Sequence, residues 1–232
     1  MGQAIAASLA AHEDLRLAGV WVRDPHNISG LDLPESAAVS GDVERIAAAA
    51  DVIIDFSLPE ATGDVLAAVT SQGKPLVCGV SGLIRTQLQK LDAAAESVAI
   101  VYDRNMSLGI AVLESLVRQA ATALGDDYAV EIHETHHVHK LDAPSGTALK
   151  LGEAVAAARG TDPQAIQYEV ERRGEVPGEH TVFLSTPHER LSLGHSVTSR
   201  QVFADGAIRA ARWVVGQPPG RYTMQDVLQV AD

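Results

Sequence analysis

Between residues 51 and 102 the chain alternates three short, strongly apolar segments with two helical patterns. Strands are predicted over Asp51–Phe56, Pro75–Cys78 and Val98–Tyr102. Helices are predicted over Pro59–Ser71, which has a proline in its first turn, and over Leu83–Ala95. Strands that alternate with helices form βαβ units, because parallel strands need a crossover connection. This stretch therefore predicts an α/β fold with a Rossmann-like, doubly wound parallel sheet.

The chain opens without the strand and glycine-rich turn that normally begin such a sheet and hold a cofactor's pyrophosphate. A helix is predicted at once over Gly2–Leu15, followed by a strand over Leu15–Val22 and a helical piece at Ile46–Ala50. Because the first strand lies in the middle of a doubly wound sheet, its absence would leave two unpaired edges. Each unsatisfied buried group there costs roughly 1–3 kcal/mol. We therefore expect a shortened chain, with a degenerate protein as the alternative.

Composition and charge restrict the classes of partner. The 232 residues carry a net charge of -12, which argues against nucleic acid and anionic membrane as partners. A single cysteine excludes an intramolecular disulfide framework and is typical of a reducing compartment. No apolar run approaches the ~18 residues that a membrane span needs. We expect a cytoplasmic protein, in which an anionic ligand would require a locally basic pocket.

The second half of the chain has a different pattern. A long amphipathic helix is predicted over Ser107–Leu124, and a return helix over Ser199–Val215. Between these two helices, one further helix is predicted over Ser145–Ala158. Strands are predicted over Ala129–Ile132, Ile166–Glu171, Thr181–Ser185 and Leu191–Val197. This order indicates a second, α+β domain with a mixed sheet.

Ionisable side chains are most concentrated between Glu131 and Ala148. Four of the nine histidines occupy seven positions there, namely His133, His136, His137 and His139. Lys140 follows them directly. A histidine beside a lysine and a helix N-terminus is what a general acid acting on an anionic substrate requires.

The helix N-terminus is indicated by Pro144-Ser145-Gly146-Thr147. Ser145 is a favourable N-cap, and the N–H groups of Gly146 and Thr147 would then be unpaired donors at the positive end of the helix. Such an end binds anions. Ordinary capping and a merely polar loop are the structural alternatives.

A metal site is a further alternative for the histidines. On a strand, His133, His137 and His139 would share one face and His136 the other, so the four imidazoles do not converge. The only cysteine, Cys78, is far away in sequence. We therefore expect no metal.

The run Glu134–Ala148 resembles the signature of the dihydrodipicolinate reductase family, Glu-x-His-His-x-x-Lys-x-Asp-x-Pro-Ser-Gly-Thr-Ala, at every fixed position. The resemblance implies NAD(P)H-dependent reduction of 4-hydroxy-tetrahydrodipicolinate, through its dehydrated cyclic imine, to tetrahydrodipicolinate. This reaction belongs to diaminopimelate and lysine biosynthesis. Resemblance and local chemistry together assign His136 as the acid and Lys140 as a cation and proton partner beside it. The residues implied to hold the substrate carboxylates are His137, Lys140, Ser145, Gly146 and Thr147.

The cofactor half of the chain resembles the family in several short segments. Met1-Gly2 resembles the end of the family's glycine-rich loop, and Gly79–Gly82 its Gly-Thr-Thr-Gly loop, with Val80 and Ser81 in place of the threonines. The residues implied to contact the cofactor are Gly2, Arg23, Phe56, Ser57, Gly79, Val80, Ser81, Asp103, Arg104, Asn105 and Met106. Arg23 could pair with a 2′-phosphate and Asp24 with a ribose hydroxyl, so both NADPH and NADH are candidates.

The resemblance extends over nearly the whole chain. It implies a dinucleotide-binding domain of residues 1–106 and 208–232, which the tail Arg221–Val230 would rejoin. Residues 107–207 would form a substrate-binding and tetramerisation domain, and hence a homotetramer. A non-catalytic oligomeric remnant that binds no nucleotide is the alternative function, and a histidine-rich metal-binding module is a third.

Overall fold

The computed structural model describes residues 1–26, 28 and 33–228. In chain order, the strands are β1 (Gly19–Trp21), β2 (Ala38–Ser40), β3 (Ile53–Asp55), β4 (Leu76–Cys78), β5 (Ala99–Tyr102), β6 (Ala129–His136), β7 (Gln167–Arg172), β8 (Glu179–Ser185), β9 (Arg190–Ser196) and β10 (Gly220–Tyr222). The α-helices are α1 (Gly2–Leu9), α2 (Val43–Ala49), α3 (Thr62–Gln72), α4 (Arg85–Ala95), α5 (Leu108–Leu124), α6 (Gly146–Arg159), α7 (Gln201–Val214) and α8 (Met224–Leu228). Across these ranges, no helix is both long and apolar enough to cross a membrane.

The chain divides into two units. Unit 1 comprises residues 1–106 and the chain from Gln201 onward, and unit 2 comprises Ser107–Arg200. The second boundary thus precedes α7, whereas the sequence placed it after Ala207. The reason is that α7 packs against α1, β4 and β5 of unit 1. The last residues of the predicted tail, 229–230, lie outside the described residues.

Unit 1 is an α/β unit with parallel strands, as predicted. Its main sheet has the order β10-β5-β4-β3, and β1 and β2 form a separate parallel pair. Strands β4 and β5 are buried along their whole length, as expected for central strands that are covered on both faces. Among the described residues, β1 pairs only with β2 and β3 only with β4. The parallel strands of unit 1 therefore lie in two sheets rather than one.

The first helix and the first strand are shorter than predicted. Helix α1 ends at Leu9, and only its Ile5 is buried. A short helix depends on tertiary packing of its apolar face, and the alanines that follow offer little such surface. Beyond the helix, Asp14 forms an ion pair with Arg212 at 2.7 Å instead of continuing the helical turns.

Unit 2 contains the mixed sheet that the sequence predicts, in the order β7-β6-β8-β9. Strand β6 is parallel to β7 and antiparallel to β8, and β8 is antiparallel to β9. One face of this sheet carries Ile132, Val182 and Leu184, which pack with apolar residues of α5 and α6. The alternate positions face away from the helices and are partly exposed. Strand β6 reaches His136, beyond the predicted end at Ile132, because it has a partner strand on each side.

Candidate active site

The histidine-rich segment begins on β6 and continues into the turn beyond it. Glu134 and His136 lie on the face of β6 that packs against the helices, and both are buried. His133 lies on the opposite face. The expectation that His137 and His139 share its strand face is wrong, because β6 ends at His136 and both residues lie in the following turn.

His136 is held by a buried carboxylate. Its Nδ1 is hydrogen-bonded to Oε2 of Glu134, and its ring packs edge-on against His180, with 5.0 Å between the ring centroids. Burial lowers the pKa of His136, Glu134 opposes this effect, and the positive charges of Lys140 and Arg172 add to it. The net pKa lies below the ordinary histidine value. Once protonated, His136 is therefore a stronger acid than a solvated imidazolium.

Gly178 lies in front of the other ring nitrogen of His136. A Cβ atom at this position would come within 3.1 Å of Nε2 of His136. Any larger residue at this position would therefore crowd Nε2.

Helix α6 begins at Gly146 with Ser145 as its N-cap, as predicted. The Ser145 hydroxyl oxygen accepts the N–H of Ala148 at 3.2 Å and lies 3.2 Å from Nε2 of His180. His180 is buried, and burial lowers its pKa to about 3. His180 is therefore a neutral imidazole near neutral pH.

A carboxylate of the chain itself approaches the positive end of α6. Asp142 lies 2.8 Å from Nζ of Lys140. Burial raises the pKa of Asp142, but the Lys140 ammonium and the N–H of Gly146 outweigh this and leave the pKa below its ordinary value. The prediction that the N–H of Gly146 is an unpaired donor is therefore wrong, because this N–H interacts with Asp142. Thr147 also has an interaction within the protein, and the prediction for its N–H stays a prediction. This end of α6 does favour an anion, which is Asp142 here.

Two arginines that no local sequence pattern indicates also belong to this region. Arg172 donates from Nη2 to Oε1 of Glu134 at 3.0 Å and to the carbonyl of Asp142 at 2.6 Å. Nη2 of Arg200 lies 3.0 Å from Nε2 of His137. Burial and the Arg200 guanidinium lower the pKa of His137. No local sequence pattern singles out either arginine.

The residues expected to contact a cofactor lie mostly at the carboxyl ends of the strands in the main sheet of unit 1, here called the carboxyl edge. They follow β3 (Phe56 and Ser57), β4 (Gly79, Val80 and Ser81) and β5 (Asp103, Arg104, Asn105 and Met106). The carboxyl ends of these strands are adjacent, because Asp55 pairs with Cys78 and Cys78 with Tyr102. Gly2 begins α1, and Arg23 follows β1 in the other sheet.

The edge has two features of a binding surface. A Cβ atom at Gly79 would lie 2.5 Å from the Phe56 ring, so glycine allows the two segments to approach closely. Oδ2 of the buried Asp55 has no hydrogen-bond partner among the described residues. Val80 and Met106 are buried, so their side chains are not exposed at this surface.

Asp103 makes structural contacts at this end of the sheet. It is buried and accepts the N–H of Met224 at 3.2 Å and that of Asn105 at 3.3 Å. It therefore ties the turn after β5 to the start of α8.

Two groups of side chains in the described ranges bring ligand-type atoms together. One is Glu134, His136 and His180, and the other is Glu131, His133 and Glu169. In the first group the Glu134 carboxylate is already hydrogen-bonded to His136 and paired with Arg172. Cys78 is remote from both groups in sequence, and burial raises the pKa of its thiol to about 12. The expected absence of a metal stays a prediction.

Comparisons with known proteins cover almost the entire chain. A family model described as "Dihydrodipicolinate reductase, N-terminus" matches residues 1–106, and "Dihydrodipicolinate reductase, C-terminus" matches residues 109–228. The 4-hydroxy-tetrahydrodipicolinate reductase of Alkalilimnicola ehrlichii is 42% identical, over 98% of this chain and 94% of the relative. That of Halorhodospira halophila is 47% identical, over 83% of this chain and 78% of the relative.

A solved structure resembles the fold throughout. It is a dipicolinate-bound dihydrodipicolinate reductase from Paenisporosarcina sp. TG-14, with a TM-score of 0.80 and 22% sequence identity. The superposition covers 97% of this chain and 94% of the other. At 22% sequence identity, this similarity supports the fold alone.

Proposed function

Because the chain belongs to the dihydrodipicolinate reductase family, we propose that unit 2 binds the cyclic dicarboxylate substrate and that His136 protonates it. The chain is an NAD(P)H-dependent oxidoreductase that reduces 4-hydroxy-tetrahydrodipicolinate in diaminopimelate and lysine biosynthesis. The non-catalytic remnant considered from the sequence is not favoured, since both relatives carry the reductase name.

The nicotinamide cofactor would bind at the carboxyl edge of the unit 1 sheet. In open α/β sheets this edge is where dinucleotides bind. The closely packed Phe56 and Gly79 and the unpaired Oδ2 of Asp55 fit this use. The exposed Ser81 and the half-buried Asn105 add polar groups. The cofactor, when bound, supplies the hydride.

The substrate carboxylates would bind at the N-terminus of α6. The chain is acidic overall, yet Lys140, Arg172, Arg200 and the N-terminus of α6 put positive charge into this part of unit 2. Asp142 already occupies an anion position beside Lys140. We infer that a substrate carboxylate takes over this contact, with His137, Ser145, Gly146 and Thr147 completing the site.

His136 would donate the proton. Hydride arrival leaves negative charge on the substrate ring, and that charge must be protonated. Nδ1 of His136 is engaged by Glu134, so Nε2 is the nitrogen that can face a substrate. Lys140 stabilises the developing negative charge, so the site acts by positioning and electrostatics.

The observation that carries the proposal is the buried Glu134–His136 pair beside Lys140 and the N-terminus of α6. Calorimetric titration with dipicolinate in the presence of NADPH tests the substrate site. Lys140→Ala should weaken binding by about tenfold to a hundredfold, whereas the exposed Lys90→Ala should not change it. Equal affinity of wild type and Lys140→Ala would contradict the proposal.

We also propose that unit 1 binds the nucleotide, and that unit 2 binds the substrate and forms the contacts of the oligomer. The uncovered face of the unit 2 sheet supports tetramerisation there. The homotetramer and the cytoplasmic location stay predictions.

A further inference from the structure

We propose that Glu134 is the positioning residue of this site. Its buried carboxylate fixes His136 in the tautomer that leaves Nε2 for the substrate, and it anchors the segment that carries Lys140. The inference rests on the proposed function, because it assumes that His136 is the acid.

Glu134 is buried, and its side chain makes three contacts. Oε2 is hydrogen-bonded to Nδ1 of His136, and Oε1 accepts the N–H of Ser145 at 3.1 Å and Nη2 of Arg172 at 3.0 Å. A buried carboxylate is costly unless it is paired and hydrogen-bonded, and here both oxygens are satisfied. One side chain therefore connects the acid, the N-cap of α6 and an arginine.

The contact with His136 determines the tautomer. An ionised carboxylate can only accept hydrogen bonds, so Nδ1 of His136 must carry a hydrogen. Nε2 is then the nitrogen that gains and loses the catalytic proton. Gly178 borders the space in front of Nε2 without a side chain. A side chain at this position would crowd Nε2, whereas glycine does not.

The contact with Arg172 reaches the substrate-binding segment. Arg172 donates from Nε to the carbonyl of Lys140 at 3.3 Å and from Nη2 to the carbonyl of Asp142 at 2.6 Å. Glu134 supplies the negative charge that keeps this guanidinium in place. Without the Glu134 carboxylate, the hydrogen-bonded link through Arg172 between β6 and the segment from Lys140 to Asp142 is lost.

The charge of Glu134 also affects when His136 is protonated. The charged and titratable groups around the ring are Glu134 on β6, Lys140 in the turn, Arg172 on β7 and His180 on β8. Glu134 is the only acid of these four, and it raises the pKa of His136, whereas Lys140 and Arg172 lower it. Neutralising Glu134 therefore leaves His136 protonated only at lower pH.

Glu134→Gln tests this inference with little change in shape. We expect kcat to fall about a hundredfold and the high-pH limb of the rate profile to move to lower pH, with the KM for the nucleotide unchanged. A loss of packing alone would not move this limb. Glu134→Asp keeps the charge and should restore the position of the limb in part.

The matched control is Glu114→Gln. Glu114 is also a buried glutamate of unit 2, and it pairs with Lys150 at 2.9 Å and with Arg118 at 3.2 Å. This variant should keep the wild-type rate and pH profile.

A second readout does not depend on turnover. In protein labelled with ¹⁵N-histidine, the His136 resonances, assigned by their loss in His136→Gln, should show hydrogen on Nδ1 in the wild type. Glu134→Gln should lose this signature and Glu134→Asp should keep it.

The outcomes separate the two proposals. A wild-type pH limb and Nδ1 hydrogen in Glu134→Gln would overturn the positioning role. If the tautomer changes as expected but the wild type reduces no substrate, Glu134 does set the tautomer of His136, and it is the proposed function that fails.

Discussion

The carboxylate of Asp142 lies 2.8 Å from the ammonium of Lys140, next to the first residue of α6. This pair gives the anion site an internal occupant. If the substrate binds as proposed, one of its carboxylates would have to compete with Asp142 for Lys140. Lys140 is thus partly neutralised by a residue of the chain itself.

Asp142→Asn should therefore strengthen the binding of dicarboxylates. Ion pairs that are partly exposed are worth about 0–1 kcal/mol, so we expect dipicolinate to bind up to about fivefold more tightly. Calorimetry measures the change, and Glu175→Gln is the control, since it removes an acid from the exposed pair with His139. Weaker binding in Asp142→Asn alone would show that Asp142 organises the site rather than competing within it.

His180 should make unit 2 sensitive to acid. Its folded pKa of about 3 lies below the ordinary value of 6.5. Between these two pH values the imidazole is protonated in the unfolded chain but not in the folded one. The free energy of unfolding is therefore highest above about pH 6.5 and decreases as the pH falls toward 3. From this one group we expect a loss of about 3 kcal/mol in the free energy of unfolding between about pH 7 and pH 4.

Urea unfolding at several pH values checks this expectation in His180→Gln. The variant should lose less stability in acid than the wild type, whereas the exposed His188→Gln should behave like the wild type. A variant with the full acid sensitivity of the wild type would refute the assignment.

Gly206→Ala should destabilise unit 1. A Cβ atom at this position in α7 would lie 1.8 Å from the carbonyl oxygen of Met106, which is backbone and cannot move aside without shifting the chain. We expect a loss of about 1–3 kcal/mol. Gly63→Ala in α3 is the control, because its Cβ would meet nothing within 4 Å, and it should stabilise the helix by about 0.5–1 kcal/mol. Thermal unfolding compares the two, and an unaffected Gly206→Ala would mean that α7 can shift.

Arg23→Ala should change the choice of nucleotide. Arg23 is exposed directly beyond β1, while Asp24 accepts the N–H of His26 at 2.9 Å within its own turn. If Arg23 meets the 2′-phosphate, its loss should weaken NADPH about tenfold and leave NADH unchanged. Fluorescence titration with both nucleotides measures this, with Arg85→Ala on α4 as the control. Equal losses for both nucleotides would exclude Arg23 as the discriminating residue.

Local sequence pattern predicted the elements whose apolar residues are contiguous. Strands β3, β4 and β5 were found because buried parallel strands are continuously apolar. Strand β2 was missed because Ala38-Val39-Ser40 is too short to show a period. Strand β6 was predicted to be too short, since Glu134 and His136 are polar although they lie on the buried face.

The candidate site was predictable where its residues are adjacent in sequence. The run from His136 to Thr147 contains the proposed acid, the lysine and the N-terminus of α6. Arg172 and His180 were missed, because they reach Glu134 and Ser145 only through the pairing of β7 and β8 with β6. Asp142 is part of the signature, but no local pattern shows that its carboxylate lies against Lys140.

The most direct test of the account is the oxidation of NADPH and of NADH by the wild-type chain with enzymatically generated 4-hydroxy-tetrahydrodipicolinate. We expect turnover that requires this substrate, and a rate at least about a hundredfold lower in His136→Gln. The exposed His139→Gln should keep the wild-type rate. Turnover by His136→Gln at the wild-type rate, or no turnover by the wild type with either nucleotide, would contradict it.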